Sequence, residues 1–241
     1  MRKFVDLHLK PSWRDLEQVK SMVNKSAELG FRMVGLALPE RIAVDEVNQL
    51  RNVCDDACVE LATRVDLVPR SRHELLHGLR KLRRKFEIVS VFCASKVVAR
   101  QAAKDRRVDL LSFPGGKYPR VFFDRAEAEL ASSAGASLEI DLQPLLLVNG
   151  FARIRLLSRL RREVALTRRL KVPLVLSSGA TETRFLHKPQ DFAFLGILFN
   201  LEFPFALEAL SETPLGIVVR NRQKLSPGYV APGVRVVGRQ D

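Results

Sequence analysis

Hydrophobic and polar positions along this chain follow two periods in alternation. Short apolar, β-branched runs at Phe4–Leu9, Phe31–Leu38, Val59–Val68, Glu87–Cys93, Asp109–Phe113, Ser137–Leu142, Pro173–Leu176 and Leu215–Val219 read as strands. Several are apolar almost throughout, as strands buried on both faces of a parallel sheet must be. The segments between them repeat apolar residues every three or four positions. Leu16, Val19, Val23 and Ala27 line one such face, Val47, Leu50, Cys54 and Ala57 a second, and Leu75, Leu79, Leu82 and Phe86 a third. The longest runs from about Gly150 to Leu170 and turns Leu157, Leu160, Val164 and Thr167 inward. Ser12, with Asp15 three residues on, resembles a capping box opening the first helix, and Gly30 follows its end. Strand–helix alternation predicts βαβ units. About eight strands in roughly 220 residues predict a TIM-like (β/α) barrel, regular or distorted, with about seven or eight parallel strands. An open doubly wound sheet is the competing architecture. Residues 1–220 are expected to form the barrel domain. Residues 221–241 carry turn signals and no helical period, and read as a basic C-terminal arm.

Composition narrows the class. Hydrophobic residues make up 46% of the 241, enough for a substantial core. No apolar run approaches the ~20 residues of a membrane span. The opening MRKFVDLHL lacks the apolar segment and cleavage site of a signal peptide. Three cysteines, Cys54, Cys58 and Cys93, are too few and too unevenly placed for a disulfide framework. A reducing, cytoplasmic setting follows as the expectation. Charge changes the picture most: 40 Lys and Arg against 27 Asp and Glu leave +13, with a pI near 10.2. Such an excess attracts polyanions. Nucleic acid suits it better than a membrane, because no basic helix keeps a free apolar face for lipid. The bland counterpart is a solvated basic surface with no partner.

Candidate chemistry is sparse. Asp6 and His8, in FVDLHLK, are expected to share one strand face at the barrel's active-site rim. A metal centre needs more ligands than this pair, and the next position on that face is the cation Lys10. His73 to His77 spell H-E-x-x-H, yet Arg80, Lys81, Arg83, Arg84 and Lys85 follow at once and repel a divalent cation. Neither a phosphate-binding glycine loop of the P-loop type nor a dinucleotide fingerprint occurs. Ser177 to Ala180, ending VPLVLSSGA, offer backbone amides to a phosphate, or simply a tight turn. Basic residues recur with more pattern. Arg155, Arg159, Arg162 and Arg169 stripe the long helix, and Arg100, Lys104, Arg106 and Arg107 cluster at the end of another. Lys117 and Arg120 sit in GGKYPR, Arg184 and Lys188 follow the SSG turn, and Arg220, Arg222, Lys224, Arg235 and Arg239 lie near the end. Each stripe alone reads as a solvated face. Together, with Trp13, Tyr118 and Tyr229 as the only Trp or Tyr, they favour gripping a folded RNA by its phosphates over stacking on single strands.

Seven stretches, in order and spacing, resemble the thirty-kilodalton ribonuclease P subunit family, which includes archaeal protein component 3. They are FVDLHLK at the start, FRMVGLAL, VDLLSFP at 108–114, LEIDLQPLL at 138–146, LVLSSGA at 174–180, KPQDF at 188–192 and LSETP at 210–214. The similarity spans residues 3–220. It implies a barrel related to the polymerase-and-histidinol-phosphatase metal hydrolases, whose first strand carries D-x-H-x-H. Here Lys10 replaces the second histidine, so the resemblance makes Asp6 and His8 relics of a metal site. It implies no catalytic residue and no cofactor on this chain. The RNA cleaves precursor tRNA at the 5′ end with its own Mg²⁺, and the protein braces that RNA beside protein component 2 and the other subunits. RNA contact is expected at Lys10, Arg100, Lys104, Arg106, Arg107, Lys117, Arg120, Arg155, Arg159, Arg162, Arg184 and Lys188. The rival function is an autonomous metal-dependent phosphoesterase working through Asp6 and His8.

Overall fold

The computed structural model describes residues 2–113, 121–231 and 234–235. Strand and helix alternate in the order β1 (Phe4–Leu9), α1 (Leu16–Glu28), β2 (Phe31–Ala37), α2 (Val44–Asp56), β3 (Glu60–Leu67), α3 (Arg72–Leu82), β4 (Ile88–Phe92), α4 (Lys96–Ala103), β5 (Leu110–Ser112), α5 (Arg125–Ala134) and β6 (Ser137–Asp141). Next come α6 (Gln143–Leu147), α7 (Gly150–Leu170), β7 (Leu174–Ser177), a 3₁₀ turn at Thr183–Phe185, α8 (Pro189–Ile197), α9 (Phe203–Ala209) and α10 (Glu212–Leu225). A short antiparallel pair, β8 (Tyr229–Ala231) and β9 (Val234–Arg235), follows.

β1 to β7 pair in parallel in sequence order, which is the ladder of a (β/α) barrel. The sheet nearly closes. Between β7 and β1, Lys10 N–H donates to the Ala180 carbonyl at one end and Val5 N–H to the Leu210 carbonyl at the other, both at 2.8 Å. The expected strand at Leu215–Val219 is instead the middle of α10. Pro214, Ile217, Val218 and Asn221 are its buried residues, a spacing of three or four that fits a helix, and Pro214 falls in the first turn, where proline is tolerated. Ile217 and Val218 pack against Val5, Leu7, Met33, Ala62, Ile88, Leu110 and Val175, so α10 plugs the N-terminal end of the barrel interior. The outer strand faces bury themselves under the helical ring in a second, larger core.

Two local expectations change. Asp15, not Ser12, caps α1: its carboxylate accepts from Gln18 N–H at 3.1 Å, while the Gln18 side-chain oxygen accepts from Ser12 N–H at 2.7 Å. The division at residue 220 falls inside α10, and residues 221–225 are helical. Asn221 is buried and donates to the Glu87 carbonyl and to Asp109, both at 2.8 Å, and Arg222 pairs with Glu60 and Glu87. Ser226, Pro227 and Gly228 then end the helix. A chain cut after residue 220 is therefore expected to melt several degrees below one cut after residue 227. The lost Asn221 contacts strand buried acceptors at about 1–3 kcal/mol, and thermal unfolding followed by circular dichroism measures the difference.

Candidate functional site: a charge-filled barrel mouth and a basic exterior

Residues two apart share a strand face. β3 thus sends Ala62, Arg64 and Asp66 inward, β4 Ile88 and Ser90, β6 Glu139 and Asp141, and β7 Val175 and Ser177. The deep layer is apolar and the layer above it is charged. Arg64 is wholly buried, and its guanidinium clasps Glu139 through two hydrogen bonds of 2.5 and 2.6 Å. It also donates to Asp66 at 2.7 Å and to the Leu7 carbonyl at 2.9 Å. Glu139 further accepts from the Ser177 hydroxyl at 2.8 Å.

The Leu7 carbonyl is available because β1 does not keep simple alternation. Asp6 pairs with Val34 and Leu9 with Leu36, so β1 spends three steps where β2 spends two, a bulge. Leu7 belongs to the interior core, and His8 also points inward. The expectation that Asp6 and His8 share one face is corrected by this bulge. Asp6 instead uses one oxygen to accept from His8 N–H at 3.1 Å and Ser178 N–H at 3.0 Å, tying β1 to the end of β7. Its other oxygen is buried with no hydrogen-bond partner among the described residues, and burial raises the Asp6 pKa. Opposite the bulge stands Gly35, where any Cβ would collide with the Leu7 carbonyl.

His8 completes the mouth. Its Nδ1 lies 2.7 Å from Asp141 and its Nε2 3.0 Å from Asp66, and Lys10 Nζ lies 3.4 Å from the other Asp141 oxygen. Burial and the Arg64 charge press the His8 pKa down, but Asp141 and Asp66 outweigh them and hold it at about 9. Against burial, Arg64 and His8 keep Asp66 well below the carboxylate range, and His8 and Lys10 bring Asp141 to about 2. Three cations, Arg64, Lys10 and protonated His8, therefore face three carboxylates, Asp66, Glu139 and Asp141.

Among the described residues, His8, Glu139 and Asp141 are the only group of three such side chains whose ligand atoms lie within 4.8 Å of one another. These residues do not fit a resident divalent cation. Glu139 is saturated by a bidentate guanidinium, and protonated His8 lends no lone pair. The H-E-x-x-H histidines lie exposed on α3, and Glu74 accepts from Arg70 N–H at 2.8 Å. Two amides of the SSG turn are spent internally: Ser178 N–H on Asp6 at 3.0 Å, and Ala180 N–H on the Ser178 hydroxyl at 3.1 Å. Gly179, at φ +64°, sits where a Cβ would come within 2.7 Å of Asp141.

The expected RNA contacts scatter over the barrel. Lys10 is in the mouth. Arg155 and Arg162 are exposed on α7, Arg162 over the Phe122 ring at 5.8 Å. Arg159 turns inward, donating to the Phe113 carbonyl at 2.8 Å beside Glu163. Arg100 lies 3.6 Å from Glu127, and Lys104 and Arg106 are exposed. Arg107 is clasped by Asp105, and Arg184 pairs with Glu182. Exposed Lys188 occupies the N-cap position of α8 without a side-chain capping bond, and Pro189 beside it lines a cavity with Phe4 and Gly30 at the N-terminal end of the barrel. Lys117, Arg120 and Arg239 lie outside the described residues, as does the Arg235 side chain. Arg64, Asp66, Glu139 and Asp141 escaped the sequence argument. Their signal was present as charges two apart in otherwise buried strands, TRVD and LEID.

Fold and site define a class: a seven-stranded (β/α) barrel whose inward acids are neutralised by the chain's own cations, leaving its basic excess outside. The chain belongs to the RNase P subunit p30 family, whose profile matches residues 3–226. It is 36% identical over 173 residues to ribonuclease P protein component 3 of Methanosarcina mazei, covering 69% of each chain. The Methanococcoides burtonii protein of that name is 29% identical over 242 residues, covering 98% of this chain and 94% of its own. A chain of archaeal ribonuclease P, solved by cryo-EM with mature tRNA, has the same fold. Its TM-score is 0.82 at 22% identity, covering 98% of this chain and 99% of that one. No described helix is long and apolar enough to cross a membrane.

Two outcomes follow. Arg64→Met strands Glu139 and Asp66 and is expected to cost about 3–5 kcal/mol, on the order of 10 °C of melting temperature, with Glu139→Leu in the same chain restoring part of it. Stability is also expected to fall as pH rises between about 6.5 and 9. Below that window folded and unfolded chains both hold the His8 proton; within it only the folded chain does, so about 3 kcal/mol is lost across it. Denaturant titrations from pH 6 to 9 test this, and His8→Gln should flatten the profile.

Proposed function

We propose that this ribonuclease P subunit acts as a cationic brace for the catalytic RNA and breaks no bond itself. The observation that carries the reading is the mouth: the strand-end position where a related hydrolase would hold metal is filled by Arg64, Lys10 and protonated His8. Cleavage at the 5′ end of precursor tRNA, and the Mg²⁺ it needs, are assigned to the RNA. The exposed cations, Arg155 and Arg162 on α7 among them, neutralise phosphates and release counterions, which stabilises the folded RNA and makes affinity salt-dependent. Arg159 and Arg107 are poorer candidates than the sequence suggested, because each already serves an internal acceptor. Protein component 2 is the expected companion, with the other subunits around it; precursor tRNA is met indirectly, and no membrane is involved. A cytoplasmic location is part of this reading.

Reconstitution with the cognate RNA and companion proteins tests it. Omitting this chain is expected to depress 5′ processing at limiting magnesium and to spare it at high magnesium. Unchanged processing at limiting magnesium sinks the proposal. So does phosphodiester hydrolysis by the RNA-free chain that disappears in His8→Ala, the signature of the autonomous phosphoesterase.

A further inference from the structure

At the end of the barrel opposite the mouth, α3, the α4–β5 turn and α10 enclose a cavity of about 560 Å³ lined by Arg83, Arg84, Arg106, Arg107, Lys224 and Tyr229. Its back wall is rigid. Arg83 is held by Asp109, by the Phe86 and Glu87 carbonyls at 2.9 Å each, and by the Arg107 carbonyl at 3.3 Å. Asp109 also receives Asn221 from α10 and lies 3.4 Å from Arg220. Arg107 is fixed by Asp105 at 2.7 and 2.9 Å. Asp105 and Asp109 are thus spent on Arg83, Arg107 and Arg220.

Arg84, Arg106 and Lys224 are exposed, and none has a carboxylate within 4.0 Å among the described residues. Burial, then the Arg220 and Arg83 charges against the pull of Asp109, lower the Lys224 pKa. Like charges crowded without an acid between them leave an unfilled demand for an anion. The guanidinium forks of Arg84 and Arg106, set against that wall, match the paired oxygens of a phosphodiester, and Tyr229 and Val230 give the rim an apolar edge.

We infer that this cavity is a phosphate-binding site for ribonuclease P RNA, at the opposite end of the barrel from the mouth, so that the subunit grips two separate RNA segments. The inference rests on the RNA-brace reading and deepens it. Arg84, Arg106 and Lys224 supply the direct contacts, while Arg83 and Arg107 shape the wall behind them. Tightly held Arg83 and Arg107 move little on binding, so the RNA meets a formed site.

The experiment measures binding of the full chain to its ribonuclease P RNA across a salt series, with hydroxyl-radical footprinting. The variants are Arg84→Ala/Arg106→Ala/Lys224→Ala and, on α7, Arg155→Ala/Arg162→Ala. The cavity variant is expected to reduce the salt slope by about two to three units and to unprotect an RNA segment distinct from that lost in the α7 variant. Arg84→Lys/Arg106→Lys keeps the charge and should keep the slope, with unchanged melting showing that the fold is intact. A cavity variant with the native slope beside an α7 variant with a reduced one overturns the inference and leaves the RNA brace standing. Native slopes in both remove the RNA brace itself. Loss of a companion protein with RNA binding unaltered overturns the inference in favour of an acidic protein partner.

Discussion

A guanidinium sealed inside a barrel is the constraint from which the rest of this structure follows. Arg64 cannot be buried without full compensation, because an unpaired interior charge costs several kcal/mol after every relaxation. Its partners come from three other strands, one of them through a backbone carbonyl: Glu139 on β6, Ser177 on β7 through Glu139, and the Leu7 carbonyl on β1. The carbonyl is free only because β1 bulges there, and the bulge fits only because residue 35 has no side chain. Gly35, the bulge, Glu139 and the outward turn of Asp6 are therefore one device seen from four positions. A strand slip anywhere among β1, β3 and β6 would break it, so the same charge that is costly to bury also specifies the register of the sheet.

That device bears on function. A barrel's strand ends gather inward-pointing polar residues, and in enzymes those residues are held ready for a substrate or a metal. Here the acids are already answered by Arg64, Lys10 and His8. Such a mouth is electrically quiet and mechanically stiff. The chain's basic excess is therefore not absorbed by the mouth, and among the described residues Arg84, Arg106, Arg155, Arg162 and Lys224 are exposed. On the brace reading proposed above, the mouth serves to stiffen the barrel and the exposed cations meet the polyanion.

Much of this was legible in the sequence, and the failures have physical causes. Seven strands fell where apolar, β-branched runs placed them, and α7 spans the expected Gly150–Leu170, although Arg159 of its outer stripe turns inward to Glu163. Leu215–Val219 misled because five apolar or small residues in a row satisfy a strand and a buried helix equally; only Asn221, one turn past Ile217, favours the helix. Asp6 and His8 misled because alternation is a rule for regular strands, and a bulge leaves no mark in its own residues. The mark was elsewhere, in the glycine of FRMVGLAL. The charged core went unseen because Arg64 and Asp66 sit in one apolar run and Glu139 and Asp141 in another, 75 residues apart at the Arg64–Glu139 pair. Each alone looks like an interruption; only the closed ring of strands makes them partners.

Basic residues were the hardest to assign, since a sequence counts charges but not their company. Arg159, Arg107 and Arg83 are as basic as Arg155, Arg106 and Arg84, yet in each case the first is consumed by the fold and the second, exposed, is left over. The division is not arbitrary. A cation fixed by carbonyls and a carboxylate has less charge and fewer donors left for a phosphate, but it can hold a neighbouring cation at a defined place. Arg83 beside Arg84, and Arg107 beside Arg106, pair one anchored residue with one available residue at the same end of the barrel. On the site proposed above, RNA would meet anchored neighbours with little side-chain entropy left to lose, which favours a single docked geometry over a diffuse electrostatic association.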